Sequence, residues 1–287
     1  MHSLATSVFA SILYLQAFAY QSLQLRRGRQ PNHSVLGLLV VMALVCHGQA
    51  LYLQLLPNSA GLDLAFSRVA SLIALAVILL TLLATLRLPV ENLLLPLLPV
   101  AVTAVLLSQF LPMGKAEPIR EEPGLMVHIL LSVLAYGLLT IAAFQALLLA
   151  FQDHRLRNRQ LSGWIRSFPP LQTMESLLFG FLWVGWGLLS LALLSGWLYL
   201  DRLFTPYLID KTLLSCFAWL VFGVLLWGRN RLGWRGRPAI RWTLVGFILL
   251  MLAYFGSKLL LKGTASAGAP RTAWAPAACQ CRPQRAH

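Results

Sequence analysis

Three adjoining segments decide the fold: Lys211–Trp227 (KTLLSCFAWLVFGVLLW), Gly228–Arg241 (GRNRLGWRGRPAIR) and Trp242–Leu261 (WTLVGFILLMLAYFGSKLLL). Each of the two apolar segments is close to the ~20 residues that an α-helix needs to cross the hydrocarbon core of a bilayer. The segment between them is short and carries arginine at positions 229, 231, 235, 237 and 241. This arrangement predicts a transmembrane helical hairpin whose basic loop lies at the cytoplasmic face.

The whole chain has the composition of a membrane protein. Of its 287 residues, 58% are hydrophobic and only 11% are charged, and the mean hydropathy is +0.72. A water-soluble domain of this size could not bury so much apolar surface. The formal net charge of +14 is concentrated in short loops between apolar stretches. Such placement is typical of membrane topology and does not indicate a nucleic-acid partner.

Eight stretches are long and apolar enough to span a membrane, and helices are expected because backbone polar groups must be satisfied within lipid. The predicted helices lie near residues 4–24, 34–56, 66–86, 93–111, 124–151, 176–200, 211–228 and 242–261. The sequence therefore predicts an all-α fold, a polytopic bundle of about eight transmembrane helices in one domain at residues 1–262. Residues 263–287 are rich in Ala, Gly, Pro and Arg without periodicity, which predicts a disordered tail.

The distribution of basic residues predicts the orientation of the bundle. More than half of the 23 lysines and arginines follow the first, third, fifth and seventh stretches, namely Arg26, Arg27, Arg29, Arg87, Arg155, Arg157, Arg159, Arg166, Arg229, Arg231, Arg235, Arg237 and Arg241. The opposite loops before the tail carry Arg68, Lys115, Arg120, Arg202 and Lys211. By the positive-inside rule, both termini are expected on the external, periplasmic side. Glu175, at the inner end of the sixth stretch, is expected to pair with a loop arginine.

Polar groups are costly in lipid and so tend to have a function where they occur. The two histidines within the apolar stretches are therefore candidate site residues. His47 lies outward of the middle of the second stretch, and His128 lies near the external end of the fifth. One interpretation is that the two imidazoles ligate haem iron or another metal. The other is that each histidine is hydrogen-bonded to a neighbouring helix, with Gln49 or Tyr136 as a partner.

Aromatic side chains form a second candidate set. Trp197 and Tyr207 flank the external segment between the sixth and seventh stretches, and Trp219 follows within the seventh. Such rings either stack on a flat macrocycle or form the aromatic belt of the membrane interface, and the residues leave both interpretations open. The sequence contains no phosphate-binding glycine loop, no suitably spaced carboxylate pair and no Ser–His–Asp arrangement. No independent catalytic site is therefore predicted.

Five segments together carry a family resemblance. They are GLMVHILLSVLAYGLLTIAAFQALLLAFQ (124–152), LLSLALLSGWLYL (188–200), DKTLLSCFAWLVFGVLLWGR (210–229), GWRGRPA (233–239) and LAYFGSKLLL (252–261). They resemble the cytochrome c assembly family, in particular its small eight-helix bacterial inner-membrane members, and the resemblance covers most of residues 34–261. It implies a bacterial inner-membrane protein that binds or handles haem in the outer half of the membrane for cytochrome c assembly.

The resemblance also implies which residues surround the haem. His128 matches the external histidine before the tryptophan-rich segment of the family, and Asp210 with Trp219 matches the end of that segment and the helix after it. The candidate cofactor-binding residues are His47, His128, Trp197, Tyr207, Asp210 and Trp219, of which the two histidines are the candidate ligands of the iron. The implied partners are the lipid bilayer and an apocytochrome c or another membrane protein of an assembly complex.

An alternative follows from a departure from the family pattern. The tryptophan-rich core, of the form WGxxWxWDPKE in haem-handling members, is replaced here by DRLFTPYLID (201–210). The histidines that the family carries just before the GWRG motif and after the last helix are also absent. A chain that keeps the helices of the family and lacks part of its ligand set fits a non-haem membrane scaffold. It also fits an accessory subunit of an ion transporter.

Overall fold

The structure is a computed structural model that describes residues 2–55, 65–111, 123–158, 169–199 and 206–256, without the side chains of residues 199, 206–211 and 255–256. Its helices are α1 (His2–Arg26), α2 (His33–Leu55), α3 (Phe66–Thr85), α4 (Leu94–Phe110), α5 (Pro123–Arg157), α6 (Leu171–Tyr199), α7 (Pro206–Leu232) and α8 (Arg237–Met251). A 3-10 turn (Glu91–Leu93) precedes α4, and a π-helical turn (Leu252–Gly256) follows α8.

Eight helical segments of the described part are long and apolar enough to cross a membrane. In each of these helices, only 28 to 44% of the residues in the most apolar 18-residue window are buried inside the bundle. Most of the apolar surface therefore faces outward. Phe9, Leu38 and Val45 are each more than 60% exposed on such outer faces. Apolar surface on this scale is stable in lipid and not in water. The predicted all-α polytopic bundle is confirmed.

The helix ends differ from the prediction where the chain becomes polar. Helix α6 begins at Leu171 and not near residue 176, α7 extends over Pro206–Leu232 and not 211–228, and α8 begins at Arg237 and not near residue 242. The prediction followed apolar character, whereas a helix continues into polar residues at the headgroup level as long as its backbone hydrogen bonds form. Residues 257–261 and the predicted tail at 263–287 lie outside the described residues.

The helices pack in two groups around one apolar core. In the first group α1 packs on α2 and α4, and α3 packs on α2 and α4. In the second group α5 packs on α6 and α8, and α7 packs on α6 and α8. The contact of α3 with α5 joins the two groups. Tyr14, Ile78, Leu139 and Phe222 are fully buried and mark the core along the bundle.

One end of the bundle, which we call the basic end, holds the C-terminal ends of α1, α3, α5 and α7 and the N-terminal ends of α2, α4, α6 and α8. We call the opposite end the far end. Glu175 at the start of α6 accepts a hydrogen bond from Arg229 at 2.8 Å and lies 3.8 Å from Arg235. Arg229 also lies over the ring of Phe179, 4.4 Å from its centroid. The predicted pairing of Glu175 with a loop arginine is confirmed.

A second ion cluster fixes α5 to α8 at the basic end. Asp153 lies 3.0 Å from Arg157 of its own helix and 3.6 Å from Arg237 at the start of α8. Both arginines are more than half exposed, so each pair stabilises the fold by less than about 1 kcal/mol. Glu91 pairs with His33 at the same end. These contacts bring the basic ends of α5, α8, α2 and the turn before α4 to a common level.

The α7–α8 connection folds back on α7 through a tryptophan. The ring of Trp234 lies on Gly228, where a Cβ atom would stand 2.6 Å from the nearest ring carbon. Trp234 donates its backbone N–H to the Gly228 carbonyl at 3.2 Å and stacks on Trp242 with centroids 5.5 Å apart. Gly233 and Gly236 have φ of 66° and 58°, a region that favours glycine. The glycines of the GWRG motif therefore make this turn possible.

The contact between α7 and α8 provides a stability prediction. A Cβ atom at Gly246 would stand 2.8 Å from two ring carbons of Phe222, a fully buried side chain. Gly246→Ala is expected to lower the free energy of unfolding by about 1–3 kcal/mol, because the new methyl group would overlap this buried ring and force it or the helices to shift. Gly180→Ala is the matched control, since nothing lies within 4 Å of a Cβ there. Thermal unfolding in detergent checks the pair, and equal midpoints for the two variants would contradict the packing described.

Candidate functional site

His128 occupies the second turn of α5 at the far end and reaches across to α6. Its Nδ1 lies 2.9 Å from the Ala192 carbonyl oxygen and 3.2 Å from Ser195 Oγ. A carbonyl oxygen only accepts, so Nδ1 is the donor in this contact. A neutral imidazole that carries its proton on Nδ1 has its lone pair on Nε2.

The other side of the His128 ring is suited to a ligand. Its Nε2 lies 3.5 Å from Ser132 Oγ, which is at the outer limit of a hydrogen bond. Histidines that bind metals are usually oriented by a hydrogen bond from the other ring nitrogen to a carbonyl or carboxylate. Ala192 provides such a carbonyl from a neighbouring helix. The side chain is half-buried, which leaves part of the ring accessible at the far end.

A glycine allows this close approach of α5 to α6. The His128 ring lies against Gly196, where a Cβ atom would stand 3.1 Å from Cε1 and 3.3 Å from Nδ1. A side chain at position 196 would push the ring away from the carbonyl that orients it. No role is predicted for Gly196 from the sequence, because the neighbour that it accommodates lies on another helix.

His47 is held in a different way, between α1 and α3. It is 1% exposed, and its Nδ1 lies 3.2 Å from Tyr14 Oη while its Nε2 lies 2.9 Å from Ser71 Oγ. The Tyr14 and His47 rings meet edge to face with centroids 5.9 Å apart. Both ring nitrogens are therefore engaged by hydroxyl groups. The contact ties three helices of the first group together.

The hydrogen-bond partners of His47 are not those proposed from the sequence. Neither Gln49 nor Tyr136 contacts it through a hydrogen bond in the described part of the chain, and Tyr136 donates its hydroxyl to the Leu250 carbonyl at 2.6 Å. Tyr14 and Ser71 lie 33 and 24 residues from His47 in the sequence. Partners that far along the chain become neighbours only through the packing of the bundle.

The two histidines belong to different groups of helices. The partners of His47 lie on α1 and α3, whereas those of His128 lie on α6 and on its own helix. Within the described ranges, no cluster of three or more His, Cys, Asp or Glu side chains is arranged to hold a metal ion. The pairing of His47 with His128 as ligands of one iron stays a prediction.

Trp219 lies near the middle of α7, in an aromatic contact with α6. It stacks on Trp186 with centroids 5.5 Å apart and an interplanar angle of 17°. Its Nε1 donates to Ser190 Oγ at 2.7 Å, and Trp186 Nε1 donates to the Trp219 carbonyl at 3.1 Å. Ser190 lies about 8 Å along α6 from Ser195, so Trp219 is deeper in the bundle than His128.

The remaining candidates lie at the far end. Trp197 follows Gly196 on α6 and is 68% exposed, a position suited to the membrane interface. Tyr207 and Asp210 fall in the first turns of α7, at the same end of the bundle. Their side chains lie outside the described residues.

The far end also carries a polar cluster that the sequence analysis did not identify. Gln109 of α4 accepts at Oε1 from Gln54 Nε2 of α2 at 2.8 Å and from Ser7 Oγ of α1 at 3.3 Å. Isolated glutamines inside apolar stretches are the signal that points to such contacts. The cluster joins the far ends of three helices of the first group.

Comparison with known proteins places this geometry in a family. The model of the family described as "Cytochrome C assembly protein" matches residues 35–265. The inner membrane protein YpjD of Escherichia coli K12 is 39% identical over 226 residues, which covers 77% of this chain and 84% of YpjD. Protein HemX of Bacillus subtilis is 28% identical over 134 residues, or 46% of this chain and 48% of HemX.

A third relative is named for cytochrome c biogenesis. The cytochrome c biogenesis protein CcsA of Guillardia theta is 24% identical over 176 residues, which covers 54% of this chain and 58% of CcsA. The family match extends from the start of α2 past the described end of the chain, and so includes both histidines and the GWRG turn. This chain of membrane-spanning helices belongs to the cytochrome c assembly protein family.

Proposed function

We propose that this protein binds haem at the far end of its bundle and presents it for cytochrome c assembly, with His128 as the ligand. The observation that carries the proposal is the 2.9 Å contact of His128 Nδ1 with the Ala192 carbonyl, which keeps the ring proton on Nδ1 and leaves the lone pair on Nε2 for a ligand. The family membership supports it, as does the name of the related CcsA, a cytochrome c biogenesis protein.

The two candidate ligands fit a haem unequally. His128 fits because a backbone carbonyl orients its ring, Gly196 leaves space for it, and Nε2 has no short hydrogen bond. His47 would have to lose its hydrogen bond with Tyr14 or with Ser71 before either of its ring nitrogens could bind an iron. We therefore assign His128 as the primary ligand and retain His47 as a second ligand that requires this exchange.

The remaining candidates have supporting roles in the proposal. Trp197 and Tyr207 would supply aromatic surroundings at the far end, Asp210 would orient a propionate, and Trp219 would close the inner side of the site. Haem, when bound, supplies the vinyl groups to which cysteine thiols add. The protein itself would bind and orient the cofactor. The partner would be an apocytochrome c or another membrane protein of the assembly complex.

The proposed orientation places the basic end in the cytoplasm and both termini outside. Most of the arginines before the tail lie in the four connections at the basic end or in the helix ends that flank them, which is the distribution that the positive-inside rule describes. The far end with His128 would then face the periplasm, and the membrane would be the inner membrane, as in the name of the related YpjD. Labelling of single cysteines with a membrane-impermeant maleimide in whole cells tests the orientation.

The absorbance spectrum of the protein as purified tests haem binding. In detergent, the wild type is expected to show a Soret band when oxidised and sharp α and β bands when reduced, at about one haem per chain. If His47 is the second ligand, His47→Ala converts the spectrum to that of a five-coordinate haem. An unchanged spectrum in that variant removes His47 from the ligand set. A wild type that is colourless after purification from cells with ample haem would contradict the proposal.

Gly196 provides a further prediction about this site. Gly196→Ala is expected to lower haem affinity about tenfold or more, because the new methyl group displaces the His128 ring from the Ala192 carbonyl. Gly187→Ala, on the same helix with nothing within 4 Å of its Cβ, is expected to bind haem as the wild type does. Haemin titration followed at the Soret band checks both variants. Equal affinities would show that the orientation of His128 by α6 has no part in binding.

Two observations favour a second candidate function. Both nitrogens of His47 are satisfied by hydroxyl groups, and DRLFTPYLID stands where haem-handling members carry the tryptophan-rich core. A non-haem scaffold or an accessory subunit of an ion transporter would have these features. Such a protein would be purified without haem and together with a transporter, which separates it from the first candidate.

A further inference from the structure

An apolar groove runs between α2 and α3 on the outer surface of the bundle, in the half near the basic end. Its volume is about 560 Å³. The lining residues are all apolar, among them Gly37 and Val41 of α2, Leu75 and Leu79 of α3, and Leu86 just after α3. Nothing lies within 4 Å of a Cβ built at Gly37, so this residue leaves part of the groove open.

The length of the groove matches one leaflet of a bilayer. From Leu75 to Leu86 the helix rises about 16 Å, at 1.5 Å per residue. Half of the ~30 Å hydrocarbon core is about 15 Å. Toward the far end, the 2.9 Å contact of His47 with Ser71 draws α2 and α3 together. A transmembrane helix of a partner would need a contact surface across the whole hydrocarbon core of the bilayer. An acyl chain of one leaflet needs a groove across only half of that core.

Positive charge stands at the open end of the groove. Arg87 directly follows Leu86, which is 76% exposed, and Arg87 is itself exposed at the level where headgroups lie. Glu91, the acid closest to Arg87 in the sequence, pairs with His33. An arginine in this position attracts an anionic headgroup, since a basic side chain near the membrane surface strengthens binding of acidic lipid about fivefold.

We propose that the α2–α3 groove seats one acyl chain of an anionic phospholipid from the leaflet at the basic end, with Arg87 binding the phosphate of its headgroup. The lipid would fill the space beside Gly37 and stabilise the basic-end half of the first helix group. This site is separate from the histidines and does not depend on haem binding.

Native mass spectrometry of the detergent-solubilised full chain, titrated with phosphatidylglycerol or phosphatidylcholine, tests the proposal. The wild type is expected to bind the first phosphatidylglycerol about fivefold more tightly than the first phosphatidylcholine. Arg87→Gln removes this preference, whereas Arg231→Gln, an exposed arginine of α7 at the same end, keeps it. Arg231→Gln thus controls for the loss of one positive charge.

Filling the groove tests the position of the acyl chain. Gly37→Phe is expected to lower the affinity for the first lipid at least tenfold, and Gly180→Phe on α6 is expected to leave it unchanged, since both positions have open space. Val41→Phe repeats the test at a second lining position. The proposal is overturned if the wild type binds both lipids equally, if the filled variants retain the first lipid, or if a polypeptide crosslinks to position 79 in native membranes.

Discussion

A His128→Ala variant is expected to lose nearly all specific haem binding. Loss of a partner that only orients a metal-binding histidine costs about 10- to 100-fold in affinity, and removal of the ligand itself costs more. The affinity for haemin, measured by titration at the Soret band, should therefore fall more than 100-fold. The fold should persist, because His128 is half-buried at the far end and not part of the fully buried core.

The same helix offers a matched control for this variant. His154 lies at the basic end of α5, where it is exposed and contacts Asn158 at 3.1 Å. His154→Ala removes a histidine from the same helix and is expected to bind haem as the wild type does. Added imidazole should restore part of the Soret band in His128→Ala. Equal haem affinity in the two variants would mean that the iron is held elsewhere.

His47→Ala is expected to cause the largest loss of stability of the substitutions considered. It leaves a cavity in a fully buried site and removes the hydrogen-bond partner of both Tyr14 and Ser71. The free energy of unfolding of the haem-free protein should fall by about 2–4 kcal/mol. Tyr14→Phe and Ser71→Ala, which each remove one hydrogen bond, should cost less, about 0.6 to 1.7 kcal/mol.

Thermal unfolding of the haem-free protein in detergent measures these differences. Gln49→Ala is the control, because Gln49 is exposed on the same helix two residues away. The double substitution of Tyr14→Phe with Ser71→Ala should lower the free energy of unfolding by about as much as His47→Ala does, once the contribution of the cavity in His47→Ala is subtracted. If His47→Ala and Gln49→Ala unfold at the same temperature, the contact does not hold the three helices together.

The sequence predicted the spanning helices and the basic end well for a physical reason. The outer faces of the helices are in contact with lipid, so the length of an apolar stretch is enough to identify a spanning helix. Its packing partners in the bundle need not be known. Membrane topology also places Glu175 and the α7–α8 arginines at one level, which made their pairing predictable before the packing was known. The ends of α6, α7 and α8 were missed because they extend into polar residues.

The side-chain geometry of the site could not be predicted in the same way. The contact of His128 with Ala192 spans 64 residues, and the role of Gly196 depends on the ring that lies against it. The position of Trp219 against Trp186 and Ser190 likewise follows from how α6 and α7 meet. Polarity inside an apolar stretch identifies candidates, but their partners are set by helix packing.

Haemin titration of the detergent-purified wild type, beside His128→Ala, is the decisive test of haem binding through His128. A saturable Soret band at about one haem per chain is expected in the wild type, and the variant is expected to lack it. A wild type that takes up no haemin, or a variant that binds it equally well, would show that His128 does not hold a haem.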